Sequence, residues 1–400
     1  MNSRRIMDAF PPAADAQVTL ANWRQHPYSE WSFRNVRELL PTANIARSPS
    51  PTSLAVAPRY LEDVTFANPR GDTIAVGEAL RTSHTDGIVV SHRGQIVFEW
   101  YAHGLTPDTA HLIFSVSKSV AGTLGGILAD SGRLDVDAPV THYIPEMKTS
   151  VYGDGCTVRH LLDMSVGIRF DEDYMARDGD VINYRRSTGW EPVEPGIPPT
   201  HLRQYLQTLR PNGTPHGHTF HYVSTNTDVL GWVYERACGM PYAKILSHYL
   251  WQPMGAEHDA YITVDSRGAA RVAGGICATL RDLARFGETM RNHGVSNGRQ
   301  VVPAWWIDDI RHNGQAEAWS RGDLTKVFPN GNYRSKWYTI ERGQPQFAAI
   351  GIHGQWVYID PANDMVIARV SSQPLPMDLD LDHMWLRGYR AIASRLGDRP

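Results

Sequence analysis

Leu112-Ile-Phe-Ser115-Val-Ser-Lys118-Ser119 joins a β-rich segment to a helix. Upstream, Gly87-Ile-Val-Val-Ser-His92 and Gln95-Ile-Val-Phe-Glu-Trp-Tyr101 flank Arg93-Gly94, the pattern of two strands around a tight turn. Downstream, Val116, Val120, Leu124, Ile127 and Leu128 recur at helical spacing from Ser115 to about Ser131, and Gly132 closes the run. Ser115 and Lys118, three residues apart, therefore share one face of a helix whose other positions are small or apolar. A lysine held there is disfavoured in its charged form, so its pKa falls and a neutral amine becomes available to take the serine proton. The helix N-terminus also points N–H groups at any anion formed beside Ser115.

The chain has only five lysines, at 118, 148, 244, 326 and 336, and Lys118 alone has a serine three positions earlier. Chance would supply roughly 0.3 such pairs, so the spacing is suggestive by itself and gains its weight from context. A net charge of -3, from 39 basic and 42 acidic residues, gives no reason to expect a nucleic-acid partner. The first 17 residues carry Asp8, two prolines and Asp15 where a secretory signal needs an apolar run, and no stretch of about 18 apolar residues occurs. A cytoplasmic protein without a membrane span is expected. Cys156, Cys238 and Cys277 are odd in number and widely spaced, which suits reduced thiols and neither a disulfide framework nor a metal clip.

Residues 1–60, rich in Pro, Ser and Arg, are expected to wrap the surface of a single domain spanning 61–400. Within that domain a sheet part (about 85–114 and 335–400) flanks a helical part (about 115–334). Further helices are expected near 157–164, 199–209, 225–238, 241–250, 279–292, 303–312 and 378–396, with Thr279 and Asp282 as an N-cap and an acidic N3 residue. Residues 170–199, loaded with Asp, Arg, Gly and Pro, suit a mobile lid loop. Strand character returns only at 347–352, 356–360 and 365–371. Strands at both ends with helices between them imply one sheet assembled from the two chain ends.

The ordered set Ser115-Val-Ser-Lys118, His160-Leu-Leu-Asp-Met-Ser-Val-Gly-Ile168, Tyr222-Val-Ser-Thr-Asn226, Ala273-Gly-Gly-Ile-Cys277 and Gly351-Ile-His-Gly-Gln355 resembles the β-lactamase-related serine hydrolases. S-x-x-K is the motif of β-lactamases, penicillin-binding proteins and their esterase relatives. The resemblance covers about residues 85–395. Leu112 to Ser119, Glu172-Asp-Tyr174 and Ile350 to Gln355 are most similar to the 6-aminohexanoate-dimer (nylon-oligomer) hydrolase branch. It implies an α+β, β-lactamase/transpeptidase-like fold, an antiparallel sheet flanked by helices with an inserted helical region.

It also implies roles. Ser115 is the nucleophile, Lys118 its base, and Tyr222 the partner that passes a proton to the leaving group. Ser224, where many relatives have Asn, could donate to a substrate carbonyl. The third motif falls on Ala349-Ile350-Gly351, without the cation that binds a β-lactam carboxylate. The N–H groups of Ser115 and Ile352 would form the oxyanion hole. Tyr174 matches a substrate-contacting tyrosine, and Arg185 falls where the branch carries an acidic residue facing the substrate's amine end, so a free amine would be repelled.

No cofactor is expected: there is no Walker A, no GxGxxG after a strand and no GxSxG elbow. His216, His218 and His221 lack a metal-binding scaffold, so no metal is expected either. The expected activity is cleavage of short linear amides or esters through an acyl-enzyme. A carboxylesterase or D-amino-acid amidase of the same fold, and a catalytically idle relative using the cleft for binding, remain as alternatives. A homodimer is among the assemblies the sequence leaves open.

Overall fold

A computed structural model describes residues 6–193, 196 and 199–397. Its main sheet contains β1 (Ala55–Val56), β2 (Thr85–His92), β3 (Gln95–Tyr101), β4 (Asn332–Arg334), β5 (Trp337–Thr339), β6 (Phe347–Gly351), β7 (Gln355–Asp360) and β8 (Met365–Ser371). They lie side by side in the order β4-β5-β6-β7-β8-β2-β3-β1. All neighbours are antiparallel except β1, which pairs parallel with β3. The seam between the chain ends is β2 against β8, with Val89 opposite Ala368.

The near-continuous apolar run of β2 is explained by cover on both faces: all eight of its residues are buried. Alternate side chains enter different layers. Val89 packs in the core that includes Leu283, whereas Ile88 and Val90 join the core that includes Trp385. The principal helices are α1 (Val116–Asp130), α2 (Asp180–Ser187), α3 (Thr225–Cys238), α4 (Leu280–Arg291) and α5 (Leu379–Gly397). Leu283 lies on α4, whose Thr279 cap accepts from the Asp282 N–H. Trp385 lies on α5, which also sets Tyr389 against Trp356 and Tyr358 of β7.

Helix α1 runs through the middle of the molecule, with twelve of its fifteen residues buried. Its glycines permit this: a Cβ on Gly122 would sit 1.9 Å from the Ser335 carbonyl oxygen, and one on Gly126 would sit 2.2 Å from the Trp306 ring. The helix is buried on all sides because partners approach its backbone directly.

Three expectations need correction. Residues 170–199 are not simply a loop, because α2 forms within them and buries Val181, Ile182, Tyr184, Arg185 and Ser187. Strand structure is not confined to the ends: β4 and β5 extend the sheet, and Thr42–Ile45, Ala260–Thr263, Ile276–Ala278 and His111–Leu112 form a second four-stranded sheet. The N-terminal segment does more than wrap the surface. It gives strands to both sheets, and Trp23 and Phe33 are fully buried in a third core with Phe114 and Trp190. Among the described residues no helix is long and apolar enough to cross a membrane.

Candidate active site

Ser115 is the residue just before α1, placed there by a strained turn: Phe114 has φ 42, a left-handed conformation that costs a non-glycine residue on the order of 1–3 kcal/mol. Lys118, one turn on and 2% exposed, donates from Nζ to Ser115 Oγ at 2.8 Å and to the Ala273 carbonyl at 2.8 Å. Burial lowers its pKa to about 8, against the opposing pull of the Glu172 and Asp228 carboxylates. The Lys118 ammonium lies 5.0 Å from the centroid of the Tyr222 ring. Tyr222 lines the same cleft as Ser115 and Tyr338, and burial raises its pKa, so its hydroxyl is a protonated donor at neutral pH. Ser115, Lys118 and Tyr222 thus meet at one point, although the chain separates the first and last by over a hundred residues.

The end of β6 closes the other side. A Cβ on Gly351 would lie 2.7 Å from the Ile113 carbonyl oxygen and 3.0 Å from the Ser115 nitrogen, so only glycine lets the strand touch the start of α1. Neither the Ser115 N–H nor that of Ile352 has a protein acceptor among the described residues. Both residues line the cleft, leaving two backbone donors free for an oxyanion.

The remaining expected residues gather nearby, with one change of role. Ser224 is buried, but its hydroxyl donates to Glu172 Oε1 and its N–H to Glu172 Oε2 at 2.9 Å. A carboxylate is the stronger acceptor, so this hydroxyl is committed and not free for a substrate carbonyl, contrary to expectation. The Tyr174 hydroxyl also donates to Glu172 Oε1, at 3.2 Å. Arg185, on α2, donates to the Tyr174 carbonyl at 3.1 Å. Glu172 was legible only within the Glu172-Asp-Tyr174 stretch of the resemblance, with no role of its own; its function as a three-donor clamp depends on Ser224 arriving from a distant segment.

The cleft has two arms that meet at Ser115, Glu172, Tyr174 and Ile352. The larger, about 450 Å³, is walled by apolar groups including Val327, Phe328, Ile350 and Met377, and Tyr222 lines it. Among the described residues no Lys or Arg borders it, in keeping with the missing cation at Ala349. The smaller, about 30 Å³ or space for roughly two waters, is lined by Lys118 and by Arg24, Arg185 and Arg271. Arg24 and Arg271 carried no sequence signal.

The three histidines of 216–221 do not converge. His216 contacts the Gly167 N–H and the Asp154 carbonyl, His218 contacts Thr219, and His221 contacts Asp323 and the Phe170 carbonyl. Among the described residues one group could hold a metal, His26 with Glu30 and His84, and it borders neither arm.

Fold and site together define a serine hydrolase built on the β-lactamase/transpeptidase plan. The sequence profile described as Beta-lactamase matches residues 77–389, and the chain belongs to that family. It is 38% identical over 367 residues to the 6-aminohexanoate-dimer hydrolase of Paenarthrobacter ureafaciens, covering 92% of this chain and 91% of that one. A solved Bacillus anthracis structure assigned as a 6-aminohexanoate-dimer hydrolase superposes with a TM-score of 0.88 at 27% identity, covering 98% of this chain and all of the other. Esterase EstB of Burkholderia gladioli is 28% identical over 205 residues, 47% of this chain and 50% of its own.

Proposed function

We propose that the enzyme hydrolyses short linear amides or esters, with Ser115 as nucleophile, Lys118 as general base and Tyr222 as proton donor to the leaving group. The observation that carries this is the 2.8 Å contact between Lys118 Nζ and Ser115 Oγ, made by an amine whose pKa lies at about 8. When neutral, Lys118 accepts the Ser115 proton while still donating to the Ala273 carbonyl. Oγ then bonds to the substrate carbonyl carbon, and the resulting oxyanion is held by the N–H groups of Ser115 and Ile352. Collapse breaks the bond to the leaving nitrogen or oxygen, which takes a proton from Tyr222, itself reprotonated through Lys118. Water then attacks the acyl-enzyme carbon as Lys118 takes its proton, the bond to Ser115 Oγ breaks, and Lys118 returns the proton to Oγ as the acid leaves.

Similarity to 6-aminohexanoate-dimer hydrolases supports linear amides as the substrate class. The apolar larger arm without a cation supports neutral leaving groups over β-lactams. Labelling with a fluorophosphonate probe, followed by mass mapping, should place the adduct on Ser115 alone, and Ser115→Ala should abolish hydrolysis of 4-nitrophenyl butyrate. An adduct on another serine, or retained activity in Ser115→Ala, would remove this assignment.

A further inference from the structure

Three arginines from distant parts of the chain meet beside the nucleophile. Arg24 comes from the N-terminal segment, Arg185 from α2 and Arg271 from the strand connection before Ala273, and all three line the small arm together with Ser115 and Lys118. One carboxylate serves two of them: Arg24 pairs with Glu191 Oε1, and Arg185 Nη1 lies 3.8 Å from that same oxygen. Arg271 has no ion pair among the described residues. Its Nη1 donates to Thr188 Oγ1 at 2.7 Å, and its flat face lies on Trp190 at 3.9 Å and Tyr184 at 4.6 Å. Among the described residues the buried Nε groups of Arg24 and Arg271 have no hydrogen-bond partner.

Guanidinium groups so placed are mutually unfavourable. Burial first, and then the neighbouring guanidinium, depresses the pKa of both Arg24 and Arg185. Two further carboxylates act on the cluster, Glu172 on Arg185 and Asp228 on Arg271, and each is also held by hydrogen bonds. Glu172 holds Ser224 and Tyr174, while Asp228 accepts from Tyr184 and from the Ala273 N–H, and both support the charge on Lys118. The lining of the small arm itself carries three guanidinium groups and Lys118 against the single carboxylate of Glu172, a donor-rich cradle that matches a planar anion.

The larger arm has the opposite sign. Asp171, Asp173, Asp323 and Asp382 border it. Tyr222, which delivers the proton to the leaving group, lines only that arm, so the leaving group departs there and the acyl end occupies the small arm.

We propose that the small arm binds a carboxylate at the end of a very short acyl group, one methylene beyond the scissile carbonyl as the two-water space allows, making the preferred substrates amides or esters of the smallest dicarboxylic acids whose leaving amine or alcohol is apolar and neutral or cationic. This rests on the acyl-enzyme reading above. Hydrolysis then consumes one water, breaks the acyl C–N or C–O bond, and yields the free diacid with the amine or alcohol. An amino-terminated acyl chain would set its ammonium against three guanidinium groups, reversing the polarity expected for an amino-acid dimer.

The test compares kcat/KM for malonyl-, propanoyl- and 3-aminopropanoyl-4-nitroanilide. The expected order is malonyl, propanoyl, 3-aminopropanoyl, with the first step about tenfold or more, the scale of one charge-assisted hydrogen bond. Arg24→Gln and Arg271→Gln should each lower the malonyl-to-propanoyl ratio by about tenfold, a readout that an overall loss of enzyme does not move. Calorimetric titration of the wild type with malonate and with propanamide reads the arm without turnover, and malonate should bind at least about tenfold tighter, weakening with salt. Equal binding of the two, or a wild-type ratio of one or less, overturns the proposal. Selective malonate binding without turnover of any anilide would instead overturn the hydrolytic reading and leave the carboxylate arm standing.

Discussion

Replacing Lys118 with Arg keeps a cation and a donor to the Ala273 carbonyl but removes a group that can lose its proton. With a pKa of about 8, roughly a tenth of the lysine is neutral at pH 7. A guanidinium, with a pKa above about 12, leaves less than about one part in 100,000 neutral. The rate cannot fall further than the base contributes, about 10²–10⁴, equivalent to about 2.7–5.4 kcal/mol in the barrier. The same logic fixes the wild-type pH dependence. Because the active form is deprotonated and burial has lowered the folded-state pKa, kcat/KM rises with pH and levels off above about 8. The assay is hydrolysis of 4-nitrophenyl butyrate from pH 6 to 9.5, with a melting curve for Lys118→Arg to separate misfolding from lost catalysis, since the larger head group enters a packed site. Turnover of the variant within tenfold of wild type, or a flat wild-type profile, would mean that the charge and not the base is what Ser115 requires.

Gly351→Ala should lower kcat by about tenfold to a hundredfold with little change in KM, because the added methyl meets the Ile113 carbonyl and the Ser115 nitrogen at the free oxyanion donors. Glu172→Gln removes a charge that raises the Lys118 pKa, so the inflection in the pH–rate profile should move below about 8; a shift upward would contradict the electrostatic assignment. Prolonged EDTA or phenanthroline treatment should leave the rate unchanged, and activity lost and then restored by zinc would place a metal in the reaction.

Local signals carried the features that were legible in the sequence. The serine–lysine spacing, the 87–101 hairpin and the last three strands are each written within about fifteen residues, where a 2.0 or 3.6 period can be seen. Helix α2 escaped because its apolar positions, Val181, Ile182 and Tyr184, are interleaved with Asp180, Asn183 and two arginines, and its burial is decided by the tertiary setting of Arg185. Strands β4 and β5, three residues each, are too short to show alternation. The Ser224 hydroxyl was misjudged for a related reason: its partner Glu172 lies 52 residues away, and no spacing rule links them. Arg24 and Arg271 are ordinary arginines until the fold brings them to one cavity.

The seam between β2 and β8 also bears on how the protein can be made. On the ribosome, β2 and β3 emerge about 270 residues before β8. At about 5–20 residues per second, that hairpin waits roughly 15–50 s for its sheet neighbour. For most of that interval Ile88, Val89 and Val90 have neither α4 nor α5 to cover them, and the open edge of β2 is a template for any other unpaired strand. Folding of the main sheet is thus committed to a late, non-local pairing, and the nascent chain depends on shielding over that interval. A circular permutant that opens the chain in an exposed connection of the helical region and joins the present ends would cut the separation of β8 and β2 from residues 93–364 to residues 372–400 plus 1–84. It should fold in fewer steps while leaving Ser115, Lys118 and Tyr222 in place.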